Sequence, residues 1–388
     1  MNHSFSPFRL PVRVFIARGG RRAIVPELAR VLPGAPTANA PSPPSVLLVT
    51  DAGLLNTPWP DAIRKDLEAA GLRVIVDAGT KPNPRANDIN ALADTARAAG
   101  CAAVVGLGGG SVLDAAKAVA MLLRNPGVIT DYEGKNRFTH ASAPFIAVPT
   151  TCGTGSEVTW VSVISDPERH VKISVKGDGM FPTAAIVDTD LLDSLPTPLV
   201  ATTGMDAVTH AIEAMIGLPA NITSDTLALA ALSRLVPALG TDLDDPATRT
   251  RLMEGSTIAG MAFGNADVGA VHCLSEAIGG LLDLPHGLLN AVLLAPVLRY
   301  TAAEINPYLL PVETHLGLSR PLQDEIDALR VRLGIPDIPG LGIDPGHHAE
   351  IARLAEGNGS NASNRRNMTA ADYQEILQTT PGRHPAVT

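Results

Sequence analysis

Residues 102–117, AAVVGLGGGSVLDAAK, decide the class of fold. The apolar run at 102–105 predicts a buried strand, four glycines follow between positions 106 and 110, and a helical pattern begins at Ser111. A glycine-rich turn from strand to helix lets the backbone approach a phosphate, and the helix N-terminus offers free N–H groups to that anion. The same residues could instead form an ordinary tight turn in which Ser111 only caps the helix.

Strands and helices alternate on both sides of this turn. Apolar runs predict further strands at 46–49, 74–76, 145–148 and 184–187, and helical patterns predict helices at 61–71, 89–99 and 111–123. Such alternation is typical of a parallel sheet covered by helices. From Pro198 to about Tyr300 the pattern is long and helical, with few strand-like segments. We therefore predict an α/β domain at residues 1–196 and an all-helical domain at residues 197–388.

The composition narrows the class of protein. The 388 residues carry a formal charge of −9 and only 3% aromatic side chains, which argues against nucleic acid as a partner. The sequence contains no apolar run of about 20 residues, so no membrane helix is predicted. Three scattered cysteines give no disulfide framework, so a reducing cytoplasm is the expected location. The Pro- and Ala-rich residues 33–44 predict a loop.

A second polar loop and an acidic residue follow two of the predicted strands. Residues 149–159, PTTCGTGSEVT, crowd five hydroxyls and two glycines together. This composition suits hydrogen bonds to phosphate or ribose oxygens, but also a surface loop that satisfies its own hydroxyls. Asp51 follows the strand at 46–49, where a carboxylate can bind a ribose 2′-hydroxyl and repel a 2′-phosphate, or can simply close a turn.

One acid and three histidines form a candidate metal site. Asp206 and His210 are spaced i, i+4, which places both on one helical face. His272 and His286 lie in apolar stretches, where an imidazole needs a polar partner. One carboxylate and three imidazoles suit Fe(II) or Zn(II) and leave a position open for substrate. A simple Asp–His hydrogen bond and two core histidines remain the alternatives.

Four motifs resemble the iron-containing, group III alcohol dehydrogenases. They are GGGSVLDAAK at 108–117, PTTCGTGSEVT at 149–159, GMDAVTHAIEA at 204–214 and LPHGLLNA at 284–291. They occur in the family's order and span most of the chain. The resemblance implies an α/β dinucleotide-binding domain and an all-α metal-binding domain, a dehydroquinate synthase-like architecture, with the active site in the cleft between them.

The resemblance also implies roles for individual residues. The four metal ligands would be Asp206, His210, His272 and His286. The residues that would contact NAD are Asp51, Asn83, Gly109, Gly110, Ser111, Asp114, Thr150, Thr151, Thr154, Thr159, Lys172 and Leu192. The residues that would line the substrate pocket are Val161 and Phe263.

The sequence departs from the family at Glu276, where many members carry a histidine. One turn after His272, this carboxylate should face the same cleft. We count it among the catalytic candidates. It could relay a proton, hydrogen-bond a ligand, select a cationic or polyhydroxylated substrate, or pair with an arginine. Elsewhere, Lys172, Arg365 and Arg366 could form an anion site.

We therefore expect a metal-dependent, NAD(H)-linked alcohol dehydrogenase or aldehyde reductase. Its substrate would be a small alcohol–aldehyde pair, with an aldehyde bearing a carboxylate, phosphonate or sulfonate as one option. Fe(II) is the first choice of metal and Zn(II) the second, and a cytoplasmic homodimer is expected. One alternative is a polyol or polyol-phosphate dehydrogenase, or a lyase-like member of the same superfamily. A second is a nucleotide- or metal-binding module without catalysis.

Overall fold

The computed structural model describes residues 7–32, 43–169 and 171–378. Most of the loop predicted at 33–44 thus lies outside the described residues. The first half of the chain forms a parallel sheet in the order β1-β9-β6-β4-β2-β3 and a smaller sheet in the order β5-β8-β7. The strands are β1 (Arg13–Ala17), β2 (Ser45–Val49), β3 (Arg73–Asp77), β4 (Cys101–Gly108), β5 (Gly134–Lys135), β6 (Phe145–Pro149), β7 (Val161–Asp166), β8 (Val171–Lys176) and β9 (Ala184–Asp188).

Helices cover both faces of the large sheet because alternate side chains of each strand point to opposite sides. Leu47 and Val104 pack with the helices α3 and α4, whereas Val46 and Val105 pack with α1 and α2. These helices are α1 (Ile24–Val31), α2 (Trp59–Ala69), α3 (Ala86–Ala98) and α4 (Gly110–Leu122). Strands β2, β4, β6 and β9 are consequently buried along almost their whole length.

The second half of the described chain is helical. Its helices are α5 (Thr197–Ile216), α6 (Ile222–Leu239), α7 (Pro246–Phe263), α8 (Ala270–Leu282), α9 (His286–Tyr300), α10 (Ala302–Leu316), α11 (Leu322–Arg332), α12 (His348–Glu356) and α13 (Ala370–Gln378). Helix α5 packs against α6, α7 and α9 and forms the centre of this part of the core. The described strands all precede Thr197, where α5 begins, and the division into residues 1–196 and 197–388 stays a prediction.

The predicted α/β-then-α architecture is confirmed, with small shifts at the element ends. Helix α2 begins at Trp59 rather than 61, because a proline at its first turn is compatible with a helix. Neither β1 nor the small sheet of β5, β7 and β8 was predicted from the sequence, because these strands are short or only half-buried. Alternating burial over few residues gives a weak signal.

Helix α6 alone, among the described residues, has the length and hydropathy to cross a membrane, and α9 with α10 would pass only as a pair bent by 112°. Helix α6 packs between α5 and α7, so we interpret it as a core helix. All three cysteines, Cys101, Cys152 and Cys273, are free thiols, as the sequence analysis expected.

Candidate active site

Three helices of the second half bring the four predicted metal ligands together. Asp206 and His210 lie on α5, His272 on α8 and His286 at the first position of α9. One ligand atom from each residue lies within 4.8 Å of the others. The Asp206 carboxylate is 1% exposed and His286 is 29% exposed at the side chain, so the cluster opens to solvent on the His286 side.

Neighbouring groups set the proton positions on two of the imidazoles. His272 Nδ1 lies 2.5 Å from Glu213 Oε2, and His210 Nδ1 lies 3.1 Å from the Gly153 carbonyl oxygen. Both oxygens only accept, so each Nδ1 must carry the proton and each Nε2 faces the cluster. Carboxylates and carbonyls that orient histidines in this way are typical of the surroundings of metal sites.

Burial and charge favour ligand-ready protonation states at His210, His286 and Asp206. Burial lowers the pKa of His210 to about 4 and that of His286 to about 3. Burial would also lower the pKa of His272, but Glu213 and the other nearby carboxylates outweigh it and hold that pKa above its ordinary value. For Asp206, burial would raise the pKa, but the facing imidazoles keep it below its ordinary value. A cation binds such a neutral imidazole or ionised carboxylate directly.

The donor set fits a divalent metal. His210 Nε2 and His272 Nε2 are only 3.0 Å apart, and both lone pairs point into the cluster. Asp206 Oδ1 lies 4.0 Å from His272 Nε2 and 3.9 Å from His286 Nε2. Facing lone pairs at these separations need a shared proton or a cation between them. One oxygen and three nitrogens match Fe(II) or Zn(II) but do not choose between them.

The glycine loop and the polar loop meet at the carboxyl edge of the parallel sheet. Strand β4 lies between β2 and β6, so Asp51, the turn after Gly108 and the loop after Pro149 share that edge. The order in which strands are added to the sheet reverses between β2 and β4. Open α/β sheets bind ligands at such a point. A Cβ added at Gly110 would lie 2.5 Å from Thr154 Cγ2, and one at Gly109 would lie 3.0 Å from Thr151 Cγ2.

The polar loop also contacts the helical half of the chain, at α7 and α5. The Gly155 backbone packs directly on Gly260 of α7, since a Cβ at Gly155 would lie 2.5 Å from Gly260 Cα. Thr257 donates its hydroxyl proton to the buried Glu157 carboxylate at 2.8 Å. Together with the bond from His210 Nδ1 to the Gly153 carbonyl oxygen, these contacts place the predicted nucleotide loop against α7 and beside His210.

Several predicted NAD contacts lie behind the loop. Asp114 accepts from Ser156 Oγ at 2.6 Å and from the Val163 N–H at 2.9 Å, so its carboxylate is used within the fold. Thr150, Thr159 and Leu192 are buried, with Leu192 fully inaccessible to solvent. We interpret these residues as supports of the loop. Asp51 is half-buried, and its Oδ1 accepts the Leu54 N–H at 3.0 Å, which is the turn-closing role.

Asn83, Ser111 and Lys172 form a connected group. The Asn83 backbone N–H donates to Ser111 Oγ at 3.2 Å, and Lys172 Nζ donates to Asn83 Oδ1 at 2.9 Å. Asn83 Nδ2 donates to Asp283, the residue that ends α8, at 2.7 Å. Asn83 adopts a left-handed conformation with φ 54°, which asparagine tolerates better than most residues. This group therefore joins the glycine loop to the helical half.

The two predicted pocket residues have different surroundings. Phe263 stacks on His210 with ring centroids 4.1 Å apart and an interplanar angle of 15°. Val161 is half-buried at the start of β7, and its carbonyl oxygen accepts from Lys117 Nζ at 2.7 Å. Phe263 thus borders the metal ligands directly.

Glu276 pairs with an asparagine and, within the described ranges, with no arginine. Asn358 Nδ2 donates to Glu276 Oε2 at 2.6 Å, and Asn358 is itself fixed because its Oδ1 accepts the Ser360 N–H at 2.9 Å. Among the residues that the structure describes, none hydrogen-bonds to the other carboxylate oxygen, Oε1. The charge of Glu276 acts on Lys172, opposing the fall in the pKa of that lysine caused by burial.

The predicted anion site is not assembled. Arg366 pairs with Asp372 at 2.9 Å and with Glu304 at 3.4 Å. Arg365 donates to the Gly217 carbonyl oxygen at 3.1 Å and lies 3.5 Å over the ring of Tyr308. Lys172 alone of the three bonds to a residue predicted to contact NAD.

Glu213 and Asn290 are site residues that the sequence analysis missed. Asn290 is fully buried on α9 and donates through Nδ2 to Asp206 Oδ1 at 2.6 Å. A signal was available, since Glu213 follows Asp206 by seven positions and Asn290 follows His286 by four. These spacings keep both on the ligand-bearing faces of their helices.

Comparison with known proteins places both halves of the chain in one family. The family model described as iron-containing alcohol dehydrogenase matches residues 35–189, and the C-terminal model of the Fe-containing alcohol dehydrogenase family matches residues 200–380. The chain is 34% identical to 1,3-propanediol dehydrogenase of Klebsiella pneumoniae over 351 residues, 86% of this chain and 90% of that one.

Solved structures agree with this result. A 1,3-propanediol oxidoreductase superposes with a TM-score of 0.88 at 29% identity, over 96% of this chain and 99% of that one. The sulfoacetaldehyde reductase from Bifidobacterium kashiwanohense, solved in complex with NAD+, superposes with a TM-score of 0.85 at 25% identity, over 96% and 98%. The chain therefore belongs to the iron-containing alcohol dehydrogenase family and is an NAD-dependent alcohol oxidoreductase.

Proposed function

We propose that this chain transfers hydride reversibly between NAD(H) and a small alcohol–aldehyde pair, as an alcohol dehydrogenase or aldehyde reductase. The metal would be Fe(II), or Zn(II) as second choice, held by Asp206, His210, His272 and His286. The observation that carries this proposal is the convergence of these four ligand atoms within 4.8 Å, beside the polar loop at 149–159, which packs in turn against the glycine loop.

The bound groups would supply the chemistry, and the chain's own residues prepare the site for them. When bound, the metal would act as a Lewis acid toward the substrate oxygen, and NAD would accept or supply the hydride. Glu213 and Gly153 hold His272 and His210 in the tautomers that present Nε2 to the cation. Phe263 covers His210 with an apolar ring, which would exclude water from that side, and Val161 would line the substrate pocket.

We propose that NAD lies across the carboxyl edge of the parallel sheet. Its pyrophosphate would contact the loop Gly109–Gly110–Ser111, where α4 begins and offers free N–H groups. Thr151 and Thr154 face this loop, and Asn83 and Lys172 would orient the nicotinamide side. One oxygen of Asp51 closes a turn, and its negative charge would disfavour the 2′-phosphate of NADP.

We propose that Glu276 contacts the substrate and favours one that offers a hydroxyl or cationic group at its far end. Its Oε2 is fixed by Asn358 and its Oε1 remains available. An aldehyde bearing an anionic group is the weaker option, because Arg365 and Arg366 make contacts elsewhere and only Lys172 could receive it. The relative named 1,3-propanediol dehydrogenase fits the first option and the one named sulfoacetaldehyde reductase the second.

We also propose a cytoplasmic homodimer without nucleic-acid or membrane partners. The three free thiols fit a reducing compartment. Strand β1 lies at the edge of the large sheet and exposes Ile16, a kind of edge that proteins cover by pairing or packing. Light scattering after size-exclusion chromatography would test the dimer.

The function is tested with a metal-stripped enzyme that is reloaded anaerobically with Fe(II) or Zn(II). NADH and NADPH consumption is followed with a panel of short aldehydes, and NAD+ reduction with the matching alcohols. His210→Ala should lose both metal and turnover, whereas His315→Ala, at an exposed histidine, should keep both. Full metal content and turnover in the His210 variant would refute the assignment.

The comparisons do not favour the two alternatives. A polyol or polyol-phosphate dehydrogenase would reduce NAD+ with polyols or their phosphates in the same assay. A lyase-like enzyme would convert its substrate without net consumption of NADH, and a module without catalysis would bind NADH but convert no substrate.

A further inference from the structure

The amide of Asn290 contacts the same atoms that would hold the metal. Its Nδ2 lies 2.6 Å from Asp206 Oδ1, 3.0 Å from His272 Nε2 and 3.2 Å from His286 Nε2. Asn290 is fully buried on α9, one turn after His286, so this position is set by the helix. An N–H donor thus faces three of the four lone pairs that bind a cation.

The hydrogen bonds of the Asn290 amide compete with metal binding for the same lone pairs. Asp206 Oδ1 accepts hydrogen bonds, and the neutral ring of His272 presents a lone pair at Nε2 because its Nδ1 proton is donated to Glu213. An amide nitrogen has two hydrogens for these three acceptors. A lone pair that accepts from the amide cannot at the same time be donated to a metal ion.

Within the described part of the chain, these contacts alone fix the orientation of the amide. Asn290 Oδ1 is buried and has no hydrogen-bond partner among the described residues. A buried carbonyl oxygen without a partner is unfavourable, so the Nδ2 contacts must compensate for it. Once a cation takes the lone pairs, no hydrogen bond at Oδ1 would keep the amide from turning.

We propose that Asn290 is a placeholder for the metal ion. Its amide holds Asp206, His272 and His286 together when the protein is metal-free, and gives up their lone pairs when a divalent cation binds. Asn290 therefore stabilises the metal-free protein more than the loaded protein, and it weakens metal binding by the same free energy. This inference rests on the proposed metal site.

Two other roles of Asn290 predict different changes in the stabilities of the metal-free and the loaded protein. If Asn290 only fills space, its removal lowers the stability of the metal-free and loaded proteins equally. If it orients Asp206 in the loaded site, its removal lowers the stability of the loaded protein more and weakens metal binding. The placeholder role alone predicts a larger loss in the metal-free protein.

The experiment measures thermal unfolding of the full chain after removal of metal with EDTA and after reloading with Zn(II). The variants are Asn290→Ala and Asn290→Ser, the latter keeping one shorter donor. Asn290→Asp is also included because it places a second carboxylate against Asp206. Asn125→Ala is the matched control, since Asn125 is a buried, hydrogen-bonded asparagine outside the ligand cluster. The Zn(II) dissociation constant is measured by competition with a chromophoric chelator.

In Asn290→Ala, the rise in melting temperature on adding Zn(II) should exceed that of the wild type, and the dissociation constant should fall about five- to tenfold. The rise for Asn290→Ser should lie between those of the wild type and Asn290→Ala. Asn290→Asp should show the largest rise, and Asn125→Ala should show the same rise as the wild type. An equal or smaller rise in Asn290→Ala and Asn290→Ser, or weaker Zn(II) binding, would overturn the inference. A wild type that shows no rise at all would instead refute the proposed metal site.

Discussion

Glu213 and His272 form a carboxylate–histidine pair at the back of the ligand cluster. Glu213 Oε2 accepts the Nδ1 proton of His272 at 2.5 Å, and the second oxygen, Oε1, accepts the backbone N–H of Val271 at 2.7 Å. Both oxygens of this buried carboxylate are therefore used. The pair fixes the ring of His272 and increases the basicity of the nitrogen that faces the cluster.

Replacing Glu213 with glutamine should weaken metal binding. A glutamine has one carbonyl oxygen for the two donors, so its amide group must face either Val271 N–H or His272 Nδ1–H. We expect Glu213→Gln to lower Zn(II) affinity about 10- to 100-fold, as is usual for partners of metal-bound histidines. Chelator competition measures the affinity, and Glu254→Gln at a partly exposed ion pair is the control. Unchanged affinity in Glu213→Gln would mean that this pair does not orient His272 for a metal.

The effect of Glu276→Gln on kcat/KM should differ between two substrates that differ by one hydroxyl. We expect it to lower kcat/KM for 1,3-propanediol on the order of tenfold, because a hydrogen bond to a charged acceptor is lost, mainly through KM. The kcat/KM for 1-propanol should change little. Asn358→Ala, which frees the carboxylate, should give a smaller loss in the same direction. An equal loss for both alcohols would show that Glu276 does not contact the second hydroxyl.

The sequence predicted those parts of the structure that local spacing determines. Helices α2 and α3 end just before Gly71 and Gly100, whose φ values of 83° and 64° require the left-handed region. Four well-separated motifs and the i, i+4 spacing of Asp206 and His210 were enough to predict the ligand set that the folded chain brings together.

The remaining features depend on contacts between distant segments. Asn358 reaches Glu276 across 82 positions, and Arg366 pairs with Glu304 across 62, so no local pattern indicates either partner. Asp114 was predicted to contact NAD, but its carboxylate accepts hydrogen bonds from within the fold. Which of these two roles an acidic residue takes depends on tertiary packing, which a local pattern does not show. For Glu213 the spacing was visible, but its role required the position of His272.

Asp51→Ser should relax the preference for NAD. Serine can still accept the Leu54 N–H that Asp51 Oδ1 accepts, so the turn should persist while the charge is removed. We expect the ratio of kcat/KM for NADPH to that for NADH to rise on the order of tenfold, which corresponds to relief of about 1.4 kcal/mol of repulsion. Asp77→Ser, at the end of the neighbouring strand β3, should leave the ratio unchanged. A preference for NADPH in the wild type would contradict the proposed role of Asp51.

Gly110→Ala should displace the polar loop and weaken NADH binding without loss of metal. The new Cβ would lie 2.5 Å from Thr154 Cγ2, a separation that forces Thr154 to move. NADH fluorescence titration should show weaker binding, and metal analysis should show normal content. Adding Thr154→Ser removes the closest atom and should restore part of the affinity, which a double-mutant cycle would quantify. Additive losses would mean that the two loops do not act together.

Lys117 should make stability depend on pH in the alkaline range. Its side chain is fully buried, and its Nζ donates to Ser156 O, Ser156 Oγ and Val161 O. Burial lowers the pKa of Lys117 from 10.5 to about 8, although Asp114 and Glu157 oppose this shift. Between these two values the unfolded chain binds more protons than the folded one, so this contribution to stability increases as pH rises.

The comparison with Lys117→Met isolates this contribution. From pH 8 to pH 10, the free energy of unfolding of the wild type should gain on the order of 2 kcal/mol relative to Lys117→Met, and below pH 8 the difference should be constant. Urea unfolding at pH 7, 8, 9 and 10 measures it. Lys65→Met, at a lysine whose side chain is 68% exposed, should show no such trend. A difference that stays constant up to pH 10 would mean that Lys117 keeps its charge in the folded protein throughout this range.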